Sequence, residues 1–230
     1  MRAAALLLLA SSACSQIFGL DSPQGVIPGD APRMDGIADT AAIDASGDGA
    51  VAVTVSFQQG SNAYASAQDT WLDGVNPNQT RDGDTQLRWN DTLRSALIQY
   101  NAIFGSTAGR IPQQATIQSA SLSIFMSQAN CTGSVREVAI GWVDTVTYNT
   151  FGALAGVDMS DLGPVVNPTP TVTNQSSIDV TSSLVKWRAD PTTNNGWIFV
   201  GTGGGGDCVA RSSEDGTVAN RPMLTVTYLP

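Results

Sequence analysis

The sequence predicts an all-β protein: an antiparallel two-sheet β-sandwich of jelly-roll-like form, with one or two short helices. Apolar and polar residues alternate in several short segments, which is the pattern of half-buried strands. Lysine and glutamate commonly populate exposed helix faces, yet the chain has one lysine and two glutamates. Its 230 residues suit a single sandwich domain preceded by an N-terminal extension.

The predicted strands begin at residue 51 and continue to the C-terminus. In the first one, 51–58, valines and Phe57 alternate with Thr, Ser and Gln. The other predicted strands are 70–72, 85–90, 96–100, 115–126, 135–143, 171–180, 197–200, 208–212 and 223–228. Glycine and asparagine are frequent in the segments between these strands, which is typical of turns.

Three segments carry more specific expectations. In the predicted strand 135–143, Trp142 is in phase with Val138, which predicts a core position for this tryptophan. Residues 182–188 have apolar side chains at helical spacing and are predicted to form a short helix across one end of the sandwich. Residues 152–170 are predicted to be a loop.

A series of short motifs resembles a known family. In chain order these are 95–125 with its Gly105, Gly109 and Ile111-Pro112 turn, then Ile-Asp-Val-Thr at 178–181, Val-Lys-Trp at 185–187, Asn-Gly-Trp at 195–197 and Arg-Pro-Met-Leu-Thr-Val-Thr-Tyr at 221–228. The series resembles the DNRLRE family of secreted β-sandwich modules over roughly residues 53–228. The resemblance implies a module like the carbohydrate-binding ones, found beside carbohydrate-active enzymes or on cell surfaces.

The N-terminus has the features of an export signal. Arg2 is followed by an apolar run at 3–10, which is too short for a transmembrane helix, and we predict a signal peptide over 1–13. The small residues before Cys14 resemble a bacterial lipobox, which predicts lipidation of Cys14. Ser15 then implies the outer membrane by the bacterial sorting pattern. The alternative is an ordinary signal peptide that leaves Cys14 as a spare thiol.

The segment 14–50 differs from the rest in composition. It carries six aspartates among Gly, Ala, Pro and Ser, without a sustained apolar period. Such a segment buries too little apolar surface to offset its ordering entropy. We predict a flexible acidic tether over 14–50 and the sandwich domain over 51–230.

The three cysteines form an odd set. If Cys14 carries lipid, Cys131 and Cys208 remain as a pair in an oxidising compartment, which favours a disulfide between them. The alternatives are two buried free thiols or, less favoured because the chain has no histidine, a metal site.

Charge and composition disfavour several functions. The net charge of −9 repels phosphate backbones, so we expect no nucleic-acid partner. The chain has no histidine, which removes Ser-His-Asp and Cys-His nucleophile systems. A pair of aspartates for glycoside hydrolysis remains formally open, but no spacing selects one. We therefore expect a protein that is not an enzyme.

Calcium is the inorganic ligand that the sequence favours most, as an optional structural ion. The loop after residue 69 is rich in Asp and Asn, whose oxygens suit Ca²⁺, and Asp69, Asp73 and Asp82 are the candidate ligands. The spacing matches no EF-hand loop. The alternative is a solvated loop in which these residues serve turn geometry.

Arg88, Arg94 and Trp89 are the candidate ligand contacts. Arg88 has the opposite strand parity to Leu87, so an inward Leu87 places the arginine outside. The same parity returns Trp89 to the inner face unless the strand ends there. Aromatic faces and planar polar groups are the usual elements of sugar recognition.

These observations predict a noncatalytic cell-surface module that binds polysaccharide or mediates adhesion. We expect it at the cell outer membrane, held by a lipid anchor, or outside the cell, with no required cofactor. The alternative is a structural surface or appendage protein without a glycan ligand. A hydrolase of unrecognised type is the third and least favoured hypothesis.

Overall fold

The computed structural model describes residues 50–90, 93–202 and 206–230. The predictions for residues 1–49, namely the signal peptide, the tether up to residue 49 and the lipidation of Cys14, lie outside the described residues. Within the described part, no helix is long and apolar enough to span a membrane.

The described residues form eleven strands and one α-helix. In chain order they are β1 (Val53–Gln58), β2 (Ala67–Asp73), β3 (Gln86–Trp89), β4 (Arg94–Tyr100), β5 (Thr116–Ala129), β6 (Gly133–Val138), β7 (Leu162–Pro168), β8 (Asn174–Asp179), α1 (Thr181–Ala189), β9 (Trp197–Gly201), β10 (Cys208–Arg211) and β11 (Met223–Leu229). All strand pairs are antiparallel and fall into two sheets, which confirms the predicted two-sheet β-sandwich.

The first sheet contains six strands and is organised around β5. β5 pairs with β8, β10 and β11, while β1 pairs with β11 and β3 with β10. Burial alternates along β11, since successive side chains point to opposite faces. Hydroxyl groups occupy the outward positions, where the Thr54 and Thr227 hydroxyl oxygens lie 2.9 Å apart. This face of the sandwich is therefore polar and carries few charges.

The second sheet has the strand order β2-β4-β9-β6-β7. Its inner face packs against the first sheet in a core rich in aromatic rings. The centroids of Trp89 and Phe199 lie 4.8 Å apart, and those of Trp187 and Trp197 lie 4.7 Å apart. Because α1 supplies Trp187, the helix closes one part of this core, as the predicted short helix requires.

A second hydrophobic core covers the other face of the second sheet. Residues 139–161, here called the covering segment, place Val146 and Phe151 against Leu72, Leu97 and Ile198 of that sheet. This packing explains why six of the seven residues of β4 are buried, instead of every second one.

The structure departs from the predicted elements in two places. β6 ends at Val138, five residues before the predicted end at 143. β7 lies inside the predicted loop 152–170 and was missed because none of its residues is buried and it contains Pro164 and Pro168, which depress strand signals.

Cys131 and Cys208 form a disulfide, as predicted, with a Cα–Cα distance of 5.3 Å. β10 pairs with the end of β5, and Cys208 lies opposite Ala129 in that register. Both cysteines are buried, so the bond joins two strand ends inside the sandwich.

We expect the double variant Cys131→Ala/Cys208→Ala to lose about 4 kcal/mol of unfolding free energy, since the bond closes a long loop in the unfolded chain. The two cysteines are 77 residues apart. Urea unfolding of the variant and of the oxidised wild type measures the difference, and Cys14→Ala serves as the control. Two alkylatable thiols at these positions in exported protein would contradict the bond.

Candidate functional site

The predicted contacts Arg88 and Arg94 lie where the edge strands of the two sheets approach each other. Their guanidinium carbons lie 5.9 and 5.8 Å from the ring centroid of Trp71, and that of Arg81 lies 4.7 Å from it. Trp71 itself is almost fully buried. We call this group, together with its acidic partners, the Trp71 cluster: Trp71, Arg81, Arg88, Arg94, Asp73, Asp84 and Asp207.

Aspartates neutralise the three arginines of the Trp71 cluster. Arg94 donates to both carboxylate oxygens of Asp207 at 2.8 Å, and Arg88 lies 3.8 Å from the same carboxylate. Arg81 pairs with Asp73. Three arginines therefore face three aspartates, and the cluster ties the edge of one sheet to that of the other. Arg88, whose side chain is 40% exposed, retains the most solvent contact of the three arginines.

Trp89 is fully buried, so the expectation that it contacts a ligand is corrected. β3 continues through residue 89, and burial alternates along it so that Leu87 and Trp89 both point inward. Its ring packs on Phe199 between the sheets and offers no face to a stacking sugar.

The three candidate calcium ligands do not come together. Asp73 is bound by Arg81, and Asp69 is bound by the turn between β10 and β11. Among the described residues, no group of three or more His, Cys, Asp or Glu side chains is placed to hold a metal ion. Asp69 and Asp73 therefore serve different protein partners, and calcium binding by Asp69, Asp73 and Asp82 stays a prediction.

Asp69 is a buried carboxyl with an unusual environment. Its Oδ2 accepts a hydrogen bond from the Ser213 backbone N–H at 2.8 Å, while its Oδ1 has no partner among the described residues. Burial, followed by the nearby charge of Glu214, raises the pKa of Asp69 well above its usual value. Strongly shifted carboxyls often mark functional sites. Here the side chain is 3% exposed beneath the turn, which favours a structural role.

Trp142 is the only one of the five tryptophans that is not almost fully buried. It lines a cleft of about 570 Å³ within the covering segment, here called the Trp142 cleft, together with Val143, Thr145, Thr150 and Phe151. The indole N–H donates to the Asn195 carbonyl at 2.8 Å, which fixes the ring. The core position predicted for Trp142 is therefore only partly correct: the ring packs against the second hydrophobic core but stays half-buried, because β6 ends before it and the strand phase is lost.

A second cleft, of about 520 Å³, is here called the Tyr64 cleft. It is formed by β1, the turn 60–66 and the loop 102–110, and Tyr64 and Arg110 line it. Sequence reasoning missed both residues. The sequence did carry one indication for Arg110: it directly follows Gly109 in a segment rich in turn residues, which is typical of a surface loop.

A scan against protein-family models finds no match, and a search of curated proteins finds no similar sequence. The resemblance to the DNRLRE family therefore remains a prediction.

We expect Asp69→Asn to flatten the pH dependence of stability. The pKa of Asp69 is raised in the folded state, so the folded chain keeps a proton that the unfolded chain loses above its usual pKa of 3.8. As pH rises above 3.8, the free energy of unfolding of the wild type should fall relative to that of the variant, by up to about 1.4 kcal/mol per pH unit. Urea unfolding at a series of pH values from 3.8 upwards tests it, and parallel profiles would contradict it.

Asp73→Asn is the matched control on the same strand, because the pKa of Asp73 is shifted in the opposite direction to that of Asp69. Burial alone would raise the pKa of Asp73, but hydrogen bonds from Asn76, Arg81 and the Val75 N–H outweigh it and lower the pKa. Its stabilisation is therefore present above pH 3.8 and is lost as pH falls through the lower folded pKa. The variant should lose about 1–3 kcal/mol at neutral pH, and the loss should shrink in acid.

Proposed function

We propose that this protein is a noncatalytic module, displayed at the outer membrane or outside the cell, that binds polysaccharide or mediates adhesion. The observation that supports this most is the half-exposed ring of Trp142 at the Trp142 cleft. An aromatic ring packs against the apolar C–H face of a sugar, while neighbouring polar groups bind its hydroxyls.

The Trp142 cleft suits such a ligand in shape and chemistry. Its volume of about 570 Å³ lies in the range of small-molecule clefts. Val143, Val146 and Phe151 supply apolar lining, and Thr145 and Thr150 supply hydroxyls. Because the hydrogen bond to Asn195 already holds the indole, little side-chain freedom is lost on binding.

The binding mode implies modest affinity. One stacking ring contributes about 0.5–1.5 kcal/mol beyond its buried area, so we expect a Kd on the order of 10⁻⁵ to 10⁻³ M for a single chain segment. Several copies at a surface would bind a repeating polymer more tightly through multivalency. Display by a lipid anchor would produce such an arrangement.

We expect Trp142→Ala to weaken oligosaccharide binding roughly tenfold, since it removes the stacking face. Trp142→Phe keeps a ring and should retain part of the affinity. Isothermal titration of the purified protein with neutral and acidic oligosaccharides measures both. Acrylamide quenching is a second readout, because the other four tryptophans are buried and a bound sugar should shield Trp142.

Leu154→Ala is the control for this test. Leu154 is 65% exposed on the same covering segment but does not line the Trp142 cleft. Its affinity should match that of the wild type. If no glycan binds at millimolar concentration while the purified protein self-assembles, the protein is a structural surface component instead.

We also propose that Cys14 carries the lipid anchor. Cys14→Ala should release the protein from membranes and abolish fatty-acid labelling, because the acylated residue is removed. Metabolic labelling with a palmitate analogue, followed by membrane fractionation, measures both effects. Unchanged labelling would show that the export signal has another form.

A further inference from the structure

The Tyr64 cleft contains a cation, Arg110, that has no partner among the described residues. Arg110 is the only charged residue among the described residues that line the cleft, although the chain as a whole has a net charge of −9. Its guanidinium makes no hydrogen bond or ion pair with any described residue. An acid-free cleft around a half-buried cation is electrostatically suited to an anion.

Several other arginines of the described chain have the ion-pair or hydrogen-bond partners that Arg110 lacks. Arg81, Arg88 and Arg94 are paired with aspartates in the Trp71 cluster. Arg136 donates to the Gly163 carbonyl, and Arg221 donates to the carbonyls of Gln59 and Asp215. Arg110 is therefore left with all five of its N–H donors available to a ligand.

Uncharged polar residues line the same cleft as Arg110. Asn62, Ser66 and Thr107 are among them, and their side chains carry donors of the type that suits the oxygens of an anion. The Tyr64 hydroxyl donates to the Asn101 carbonyl at 2.8 Å, which fixes its orientation. Burial raises the pKa of Tyr64, and the nearby charge of Arg110 opposes that rise.

The backbone around the cleft is unusually constrained. Among the described residues, four that are not glycine have positive φ, and three of them line this cleft: Asn62 at 50°, Ala63 at 59° and Ala102 at 53°. A left-handed conformation costs an L-residue such as alanine about 1–2 kcal/mol. Such strain concentrates at ligand sites, where the surrounding structure holds it in place.

We propose that the Tyr64 cleft binds an oxyanion, with Arg110 as the charge partner. The ligand chemistry is a carboxylate, sulfate or phosphate group, whether free or carried on a small solute. A volume of about 520 Å³ accommodates such a group with a single ring attached. The site uses none of the residues of the Trp142 cleft and does not depend on glycan stacking there.

Titration of full-length protein with sulfate, phosphate, acetate, glucuronate and glucose at constant ionic strength tests the proposal. Two-dimensional NMR should show shifts of the Gly109 and Arg110 amides with at least one anion but not with glucose. Thermal unfolding should rise with the same anion, because a ligand of the folded state stabilises it. The anion with the tightest binding identifies the source: an inorganic ion or an acidic sugar.

Arg110→Gln should weaken that binding about tenfold or more, since a charge-assisted contact is lost. Arg110→Lys should recover part of it, because lysine keeps the charge without the planar fork. Arg188→Gln is the control, since its side chain likewise has no partner among the described residues and lies on α1, outside the cleft.

Two results would overturn the proposal: no anion binds the wild type at millimolar concentration, or Arg110→Gln binds it as tightly as the wild type does. Either result leaves the Trp142→Ala test of glycan stacking unaffected, so the two proposals fail separately.

Discussion

Burial of the second sheet on both faces is the constraint on which the rest of this structure depends. Its inner face packs on the first sheet, and its outer face carries Leu72, Leu97 and Ile198, which would otherwise be exposed. The covering segment removes this apolar surface from water, at roughly 25 cal/mol for each Å² buried.

The covering segment holds its shape through its own backbone. The Ala139 N–H donates to the Asp161 carbonyl at 2.8 Å, so the two ends of the segment are joined. Gly152 has a φ of 69°, and a side chain there would collide with the Asp161 carboxylate. A rigid loop on a sandwich is the usual place for a binding residue. Trp142 lies on this loop, and its ring orientation is a consequence of how the segment packs.

The two sheets are joined along one edge by polar contacts, whereas their centre is aromatic. In the Trp71 cluster, Asp84 accepts from the indole N–H at 3.0 Å while Arg81 lies over the ring. Buried ion pairs contribute little net stability once desolvation is counted, but removal of one partner leaves an uncompensated charge. The Trp71 cluster therefore fixes how the edges of the two sheets meet more than it stabilises the fold. Its aspartates also pair with arginines that would otherwise be available to a ligand.

The two clefts differ in their chemistry. Trp142, Val143 and Phe151 line the first together with threonines, whereas the second holds the Arg110 guanidinium, which has no partner among the described residues, together with hydroxyl and amide groups. On the outer face of the first sheet, hydroxyl groups of neighbouring strands pair with each other, such as those of Thr54 and Thr227. A surface of this kind is compatible with display in water without association through apolar patches.

The amino-acid sequence alone was sufficient for the features that depend on local periodicity. The alternation in β1, β5 and β11 and the helical spacing around Leu184 and Trp187 follow from residue type and order. The pairing of Cys131 with Cys208 was the favoured one of several alternatives, and the structure selected it. β7 escaped prediction because an edge strand with two prolines has little periodicity.

The candidate sites depended on tertiary contacts instead. Trp142 and Trp89 have similar strand-like surroundings in the sequence, yet the first lines a cleft and the second is buried, because β6 ends at Val138 while β3 continues to residue 89. The charge environments of Arg94 and Arg110 likewise depend on the fold, which brings Asp207 to Arg94 but no described carboxylate to the cleft that Arg110 lines. Exposure and charge pairing are set by residues far apart in the chain, and no local pattern encodes them.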